Sequence, residues 1–275
     1  IKDRSSLEGQ FRMFDVRFIK NDAVQELVTF EVNGRMDYRI KSSIVAKVIL
    51  NSINNSAEII DALKKVAIYA NRYSENVRYE SILQNIVSFS HVNSFLNGKR
   101  DNIGFIMDYY DALKDIEYYR DNSFFWLQYS IACMRYGNYE LAQNYVDVAY
   151  GKFRENEVNV PFQCDNQQAR IYLEKIKNGK SKNISEDFER AHRLVMQPLF
   201  SEKDREETTI RLLKTYVDRR FVEQIRRENL LPQYQKFCGE AYNKITIFLK
   251  RLRNERDRER YVRLQNALLH ACSNT

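Results

Sequence analysis

Glycine and proline are scarce in this chain of 275 residues, which contains 8 Gly and 3 Pro. All-β folds need many tight turns, so this scarcity argues against them. No run of about 18 apolar residues occurs, so we expect no membrane-spanning segment, and no signal peptide is apparent. Hydrophobic residues at 44% and charged residues at 29% are instead typical of a soluble globular protein with a sizeable core.

Sequence motifs for nucleotide binding and for metal binding are also missing. The chain has no GxxxxGK and no GxGxxG, so we expect no phosphate cradle for a nucleotide. His91, His192 and His270 have no HExxH or paired-cysteine context, which favours structural or surface histidines over metal ligands. The four cysteines are widely separated and form no CxxC pair, which favours a reducing cytoplasm. We therefore expect no cofactor, no metal and no catalysis by this chain.

One strand signal stands out, at residues 27–40 around Asn33-Gly34. A two-residue loop would place Val32 opposite Arg35, whereas a three-residue loop would place Val32 opposite Met36 and keep the apolar residues on one face. Because a one-residue slip moves a whole apolar set to the other face, we predict the three-residue register.

Helical periodicity fills most of the remaining chain. Apolar residues recur at three- and four-residue spacing, and Ser56 is the predicted N-cap of the second helix. Glycines follow three predicted helix ends, where a left-handed residue commonly stops a helix. These are Gly98, Gly137 and Gly179. The other predicted helices span 42–54, 77–97, 103–119, 123–136, 139–155, 165–178, 185–197, 203–229, 232–253 and 257–271.

Small residues recur at regular positions within 124–154. Ser130 lies in the first helix of this stretch, Gly137 ends it, and Ala142 and Ala149 lie two turns apart in the second. Antiparallel helices approach closely only where small side chains alternate with large ones. This order of residues resembles a tetratricopeptide helical hairpin.

A second stretch matches the first. Residues 139–142 read YELA, and residues 188–191 read FERA. Hairpins of this kind cannot bury their faces alone and stack into a solenoid. We therefore predict an all-α, tetratricopeptide-like solenoid with a small β-hairpin near its start and a C-terminal helical cap.

This resemblance implies a partner-binding surface. In tetratricopeptide arrays, the first helix of each hairpin lines a concave groove, and apolar residues with an occasional cation suit an extended peptide or a helix of a partner protein. The alternative is that the same positions are buried by a further layer of helices. The predicted groove residues are Phe124, Leu127, Ile131, Met134, Arg135, Leu173 and Lys177.

Positive charge is concentrated in the last part of the chain. Residues 201–275 contain 17 Lys and Arg against 11 Asp and Glu, so they account for +6 of the net +7. Lys and Arg are most concentrated in residues 250–263. This stretch has two interpretations: a surface that binds the phosphates of a nucleic acid, or a solvated helix whose charges pair four residues apart. Arg263 and His270 have a spacing that resembles HEPN-type ribonucleases, although Leu264 replaces the polar residue that usually follows the arginine. A nucleic-acid-binding protein or ribonuclease is therefore the alternative function.

Over residues 27–197, the chain resembles the C-terminal region of a STAND-type bacterial defence ATPase. Residues 27–54 resemble the wing hairpin and following helix of a winged-helix domain, and 124–174 resemble the helical sensor. The resemblance implies three parts: a winged-helix remnant over 1–55, helical repeats over 56–200 and a basic helical cap over 201–275. It also implies a non-catalytic sensor or scaffold that binds a protein. Because the chain begins at Ile1 rather than Met, we expect it to be a piece of a longer protein.

Overall fold

The computed structural model describes residues 27–32, 35–40, 55–71, 83–96, 102–155, 162–197, 203–252 and 255–273. Helices dominate these residues, which confirms the all-α class. The chain divides into two compact units, residues 1–120 and 121–275. None of the described helices combines the length and the apolarity that crossing a membrane requires.

In the first unit, β1 (Leu27–Val32) pairs antiparallel with β2 (Arg35–Ile40). Val32 lies opposite Arg35, which is the register of a two-residue connection. The predicted three-residue register is therefore wrong. Asn-Gly strongly favours a two-residue connection between twisted strands, and this local preference outweighs the separation of apolar and polar faces. The helix predicted over 42–54 lies outside the described residues.

The helices of the first unit are shorter than the sequence predicts. Asn55, not Ser56, caps the first of them, and its Oδ1 accepts a hydrogen bond from the Glu58 backbone N–H at 3.3 Å. The helix predicted over 103–119 is interrupted after Leu113. The observed helices are α1 (Ser56–Ala70), α2 (Phe89–Phe95), α3 (Ile103–Leu113) and α4 (Glu117–Arg120).

The helix predicted over 77–97 is broken at Ser88, whose backbone is extended. Two buried tyrosines of α3 explain the break. Tyr109 donates its hydroxyl proton to the Ile86 carbonyl at 2.9 Å, and Tyr110 donates to the Val87 carbonyl at 2.7 Å. The last carbonyls of a helix have no backbone N–H to accept from within the helix, and here the two tyrosine hydroxyls donate to them instead. The break is thus stabilised by residues more than twenty positions away.

The second unit begins with two helical hairpins. Helix α5 (Ser123–Arg135) is followed by α6 (Tyr139–Glu155), and α7 (Phe162–Lys177) is followed by α8 (Ile184–Met196). Gly137 and Gly179 have φ of 82° and 64°, so both end their helices in the left-handed conformation, as predicted. The third predicted position, Gly98, lies outside the described residues.

Close packing within the first hairpin depends on small residues, which confirms that prediction. Ser130, Ala142 and Ala149 are fully buried between α5 and α6. Ser130 Oγ donates to the Ala142 carbonyl at 2.7 Å and accepts from Gln167 Nε2 at 3.3 Å. One hydroxyl therefore joins α5, α6 and α7.

The C-terminal helices share a single apolar core with α7 and α8. The helix predicted over 203–229 is divided, because Asp218 starts a new helix by accepting a hydrogen bond from the Arg220 backbone N–H at 2.9 Å. The elements here are α9 (Lys203–Ile210), a 3-10 turn (Arg211–Thr215), α10 (Arg219–Arg227), α11 (Leu231–Arg251) and α12 (Glu255–Ser273).

Phe188 of α8 is at the centre of this shared core and is fully buried. Its ring centroid lies 5.1 Å from that of Tyr216, 5.2 Å from that of Phe221 and 4.9 Å from that of Phe237, all in edge-to-face geometry. Such aromatic pairs add about 0.5–1.5 kcal/mol each beyond the area they bury. Phe188 therefore anchors α8 to the C-terminal helices.

Replacing Phe188 by alanine is expected to lower the free energy of unfolding by about 3–5 kcal/mol, because it removes the buried ring and leaves a cavity. Chemical denaturation of the purified chain measures this loss. Ile247→Ala is the control, since Ile247 is 51% exposed and surface substitutions usually cost less than about 0.5 kcal/mol. Equal effects of the two substitutions would contradict the central position of Phe188.

Candidate functional site: two grooves beside one helix

The structure separates the predicted groove residues by exposure. Leu127 and Leu173 are 3% and 1% exposed, and Leu173 belongs to the core shared with the C-terminal helices. These two leucines present no surface to a partner, because the chain buries them itself. The binding role of the others stays a prediction. Phe124, Ile131, Met134 and Lys177 are half-buried, and Arg135 is exposed.

Lys177 already has two acidic partners within the chain. Its Nζ lies 3.3 Å from Glu174 Oε1 and 3.6 Å from Asp218 Oδ2. The lysine thus links the end of α7 to the residue that caps α10, which is a structural role.

Arg263 and His270 lie two turns apart on α12, and both are exposed. Arg263 is 3.8 Å from Glu259, one of the predicted pairs four residues apart. Across the described residues, no three His, Cys, Asp or Glu side chains come together as a metal site. The ribonuclease alternative stays a prediction.

A groove of about 570 Å³ lies beside the outer face of α8, and we call it the first groove. Helices α6 and α8 form its walls, and α7 forms its floor. On each wall the lining residues recur at three- or four-residue spacing, so they share one helix face. The lining residues are Asp147, Tyr150, Arg154, Gln168, Tyr172, Arg190, Arg193 and Leu194.

Hydrogen bonds hold the polar floor of the first groove in place. Gln168 is 6% exposed, and its side-chain amide exchanges two hydrogen bonds with that of Gln143, at 2.7 and 2.9 Å. Tyr150 donates its hydroxyl proton to Asp165 Oδ1 at 2.7 Å. Burial raises the pKa of Asp147, although a hydrogen bond from Gln143 opposes this rise.

A second groove, of about 830 Å³, lies on the other side of α8 and is lined by α8 and α11; we call it the second groove. It combines apolar side chains with charges of both signs. Its lining residues are Glu189, His192, Arg193, Met196, Gln197, Pro232, Gln233, Lys236, Phe237 and Glu240.

His192 forms part of the second groove but is 5% exposed. Its ring stacks on Phe237, with centroids 3.9 Å apart and an interplanar angle of 9°. Nε2 lies 2.8 Å from Glu240 Oε2, and Nδ1 lies 3.0 Å from the Tyr216 hydroxyl. A carboxylate only accepts, so Nε2 carries the proton and Nδ1 accepts from Tyr216. His192 is thus a structural histidine that joins α8 to α11, as its lack of motif context predicts.

The protonation of His192 is set by its surroundings. Burial lowers the pKa of His192 below its usual value, and the nearby Lys236 and Lys244 act in the same direction. The Glu240 carboxylate opposes this effect without reversing it. The imidazole therefore remains neutral at physiological pH.

Arg193 lines both grooves, so the outer face of α8 forms a continuous surface between them. The opposite face of α8 is the buried one, with Phe188, Ala191 and Val195 in the core. The helix therefore has a core side and a solvent-accessible side, and the accessible side carries charged residues that line two grooves.

None of the groove residues predicted from the sequence lines either of these two grooves. The signal was present as stripes of polar and aromatic residues on the helix faces opposite the alanines. On α6 the stripe is Asp147, Tyr150 and Arg154, and on α8 it includes Arg190 and Arg193. Such stripes usually indicate a solvated face, and only the packing of α6, α7 and α8 brings them to one groove.

Comparisons of the chain with protein-family models, with curated proteins and with solved structures find no match.

The neutral His192 makes stability depend on pH. In the unfolded chain a histidine has a pKa of about 6.5, so the unfolded state binds a proton that the folded state resists. The free energy of unfolding is expected to fall as the pH is lowered from about 7.5 to about 5.5, by at most about 1.4 kcal/mol per pH unit.

Denaturation at several pH values measures this slope, with His192→Gln as the matched variant. The variant is expected to be less stable overall, because it loses the stacking on Phe237, and to show a shallower dependence on pH in this range. Identical slopes for the two proteins would contradict the assignment of a neutral histidine.

Proposed function

We propose that the chain is a protein-recognition module that binds a polypeptide along the outer face of α8. The observation that carries this proposal is the position of Arg193 on the rim of both grooves. A partner segment that crosses α8 enters the first groove, of about 570 Å³, on one side and the second groove, of about 830 Å³, on the other. The helices form a tetratricopeptide-like solenoid in this proposal, and the ligand lies on the face of α6 and α8.

The composition of the grooves supports a polypeptide ligand. Tyr150, Tyr172 and Leu194 offer apolar surface in the first groove, and Met196 offers it in the second. Tyrosine, phenylalanine, methionine and arginine are enriched in the central parts of protein interfaces. Methionine also adapts its shape to different ligand side chains.

The resemblance to STAND-type defence ATPases supports a sensor role for the same surface. In this proposal the chain is the ligand-sensing end of a larger protein, and binding of a phage protein relieves the inhibition of an upstream ATPase. Sequencing the coding DNA upstream of Ile1 tests this part. A GxxxxGK[ST] motif after a predicted strand would support it. An initiation codon directly before Ile1 would contradict it.

Two charge reversals distinguish the face of α8 from the predicted concave groove. Arg193→Glu changes the rim of both grooves, whereas Arg135→Glu changes an exposed position of the predicted groove on α5. Peptides selected by the wild-type chain from a displayed random library are expected to bind Arg193→Glu at least about tenfold more weakly, which corresponds to about 1.4 kcal/mol. Their affinity for Arg135→Glu is expected to stay unchanged.

Fluorescence anisotropy with the selected peptides measures both affinities, and thermal unfolding checks that each variant is folded. If Arg135→Glu alone lost binding, the ligand would not lie on the face of α8, and the groove predicted from the sequence would be the binding site instead. Selection of no peptide, together with tight binding of RNA that weakens steeply with salt, would favour the nucleic-acid alternative instead.

A further inference from the structure

Three arginines line the first groove from its two walls. Arg154 comes from α6, and Arg190 and Arg193 come from α8. We propose that the first groove receives an acidic segment of a polypeptide, with carboxylates of the ligand bound by these guanidinium groups. This inference rests on the proposed function and adds the chemical class of the ligand.

The arginines are available to a ligand at small cost. Arg190 pairs with Glu186 and Arg193 pairs with Glu189, each four residues apart on α8, with all four side chains at least half exposed. Arg190 is also hydrogen-bonded to Tyr172, so this guanidinium is already held on the groove side of α8. Exposed pairs of this kind contribute little to stability and exchange readily. Arg154 is exposed and has no acidic partner within 4.0 Å among the residues that the structure describes.

Arginine also matches the geometry of the proposed ligand. Its planar guanidinium donates two parallel hydrogen bonds to one carboxylate, and such charge-assisted bonds are stronger than those between neutral groups. A ligand carboxylate that displaces Glu186 or Glu189 replaces a surface pair with one inside a groove. The ligand carboxylate therefore keeps the arginine paired, and the exchange costs little because both partners of the displaced pair are exposed.

The rest of the groove fits a side chain that carries one charge on an apolar stem. The rings of Tyr150 and Tyr172 contribute apolar surface for the methylene groups of a glutamate. Asp147 is the acid among the lining residues, and a hydrogen bond from Gln143 Nε2 at 3.0 Å already occupies its Oδ1. The lining thus carries three cations against one acid.

The same charges disfavour a nucleic acid. A nucleic-acid strand carries a phosphate at every nucleotide and is bound by unbroken strips of cations. On α8, Glu186 and Glu189 each pair with the arginine four residues later, and Asp147 lines the same groove from α6. Regularly spaced phosphates would meet these acids, whereas a peptide places its carboxylates only where its sequence provides them.

The test uses a fluorescein-labelled peptide of alternating Glu and Tyr, the same peptide with Gln in place of Glu, and labelled oligouridine. Anisotropy titrations compare the wild-type chain with Arg154→Gln and Arg190→Gln, which change the first groove and not the second. Arg219→Gln is the matched control. Arg219 is exposed on α10 and pairs with Glu223, four residues away, just as Arg190 pairs with Glu186, but it lines neither groove.

The wild-type chain is expected to bind the Glu-Tyr peptide about tenfold more tightly than the Gln-Tyr peptide. Arg154→Gln and Arg190→Gln are each expected to lower the affinity for the Glu-Tyr peptide about tenfold, since each removes one charge-assisted contact. Arg219→Gln is expected to change nothing, and all three variants are expected to keep the wild-type unfolding midpoint.

Equal weakening in Arg219→Gln, or no weakening in the two groove variants, would overturn the inference. Oligouridine that binds more tightly than the peptide and depends on the same two arginines would also overturn it, in favour of phosphate. Library-selected peptides that bind Arg154→Gln and Arg190→Gln normally but not Arg193→Glu would overturn the acidic assignment alone and leave the recognition function standing.

Discussion

The contact on which the second unit depends is the edge-to-face packing of Phe188 against rings from three other parts of the chain. These rings are Tyr216 after the 3-10 turn, Phe221 of α10 and Phe237 of α11. Through this one side chain, α8 is held against the C-terminal helices while its hairpin partner α7 joins the same core. The position of α8 in turn defines both grooves, because α8 is their common wall. The aromatic core is thus the physical basis of the candidate site.

The chemistry of the grooves follows from the two sides of α8. Its apolar positions are used in the core, so its outer positions carry the charges that keep an exposed helix face solvated. Where α6 approaches from one side and α11 from the other, those charges become the rims of grooves. In the proposed function, arginine and tyrosine side chains of the grooves contact the ligand. The hydrogen bond between His192 and Glu240 joins the two helices, α8 and α11, that line the second groove. Groove shape and core stability are therefore coupled.

Local features of the fold were predictable from the sequence. The left-handed ends at Gly137 and Gly179 and the close packing at Ser130 and Ala142 depend on neighbouring residues, and each was confirmed. Features set by distant residues were not predictable. The break at Ser88 depends on tyrosine hydroxyls of α3.

The site was harder to predict than the fold, for a related reason. Leu173 has the periodicity of a groove residue, but the C-terminal helices pack over it and bury it. Arg190 and Arg193 look like a solvated face, since each has an acidic neighbour four residues away. They line the same groove as Arg154 because α6 and α8 both pack on α7. The spacing of residues within one helix cannot predict this.

The most direct test of a polypeptide-binding face on α8 is photo-crosslinking. p-Benzoylphenylalanine is introduced in place of Glu189, which lines the second groove, and separately in place of Arg135 on α5, and each protein is irradiated with a library-selected peptide. If the peptide lies along the outer face of α8, it is covalently captured at position 189 and not at position 135, and mass spectrometry identifies the site. Capture at position 135 and none at 189 would contradict this position of the peptide.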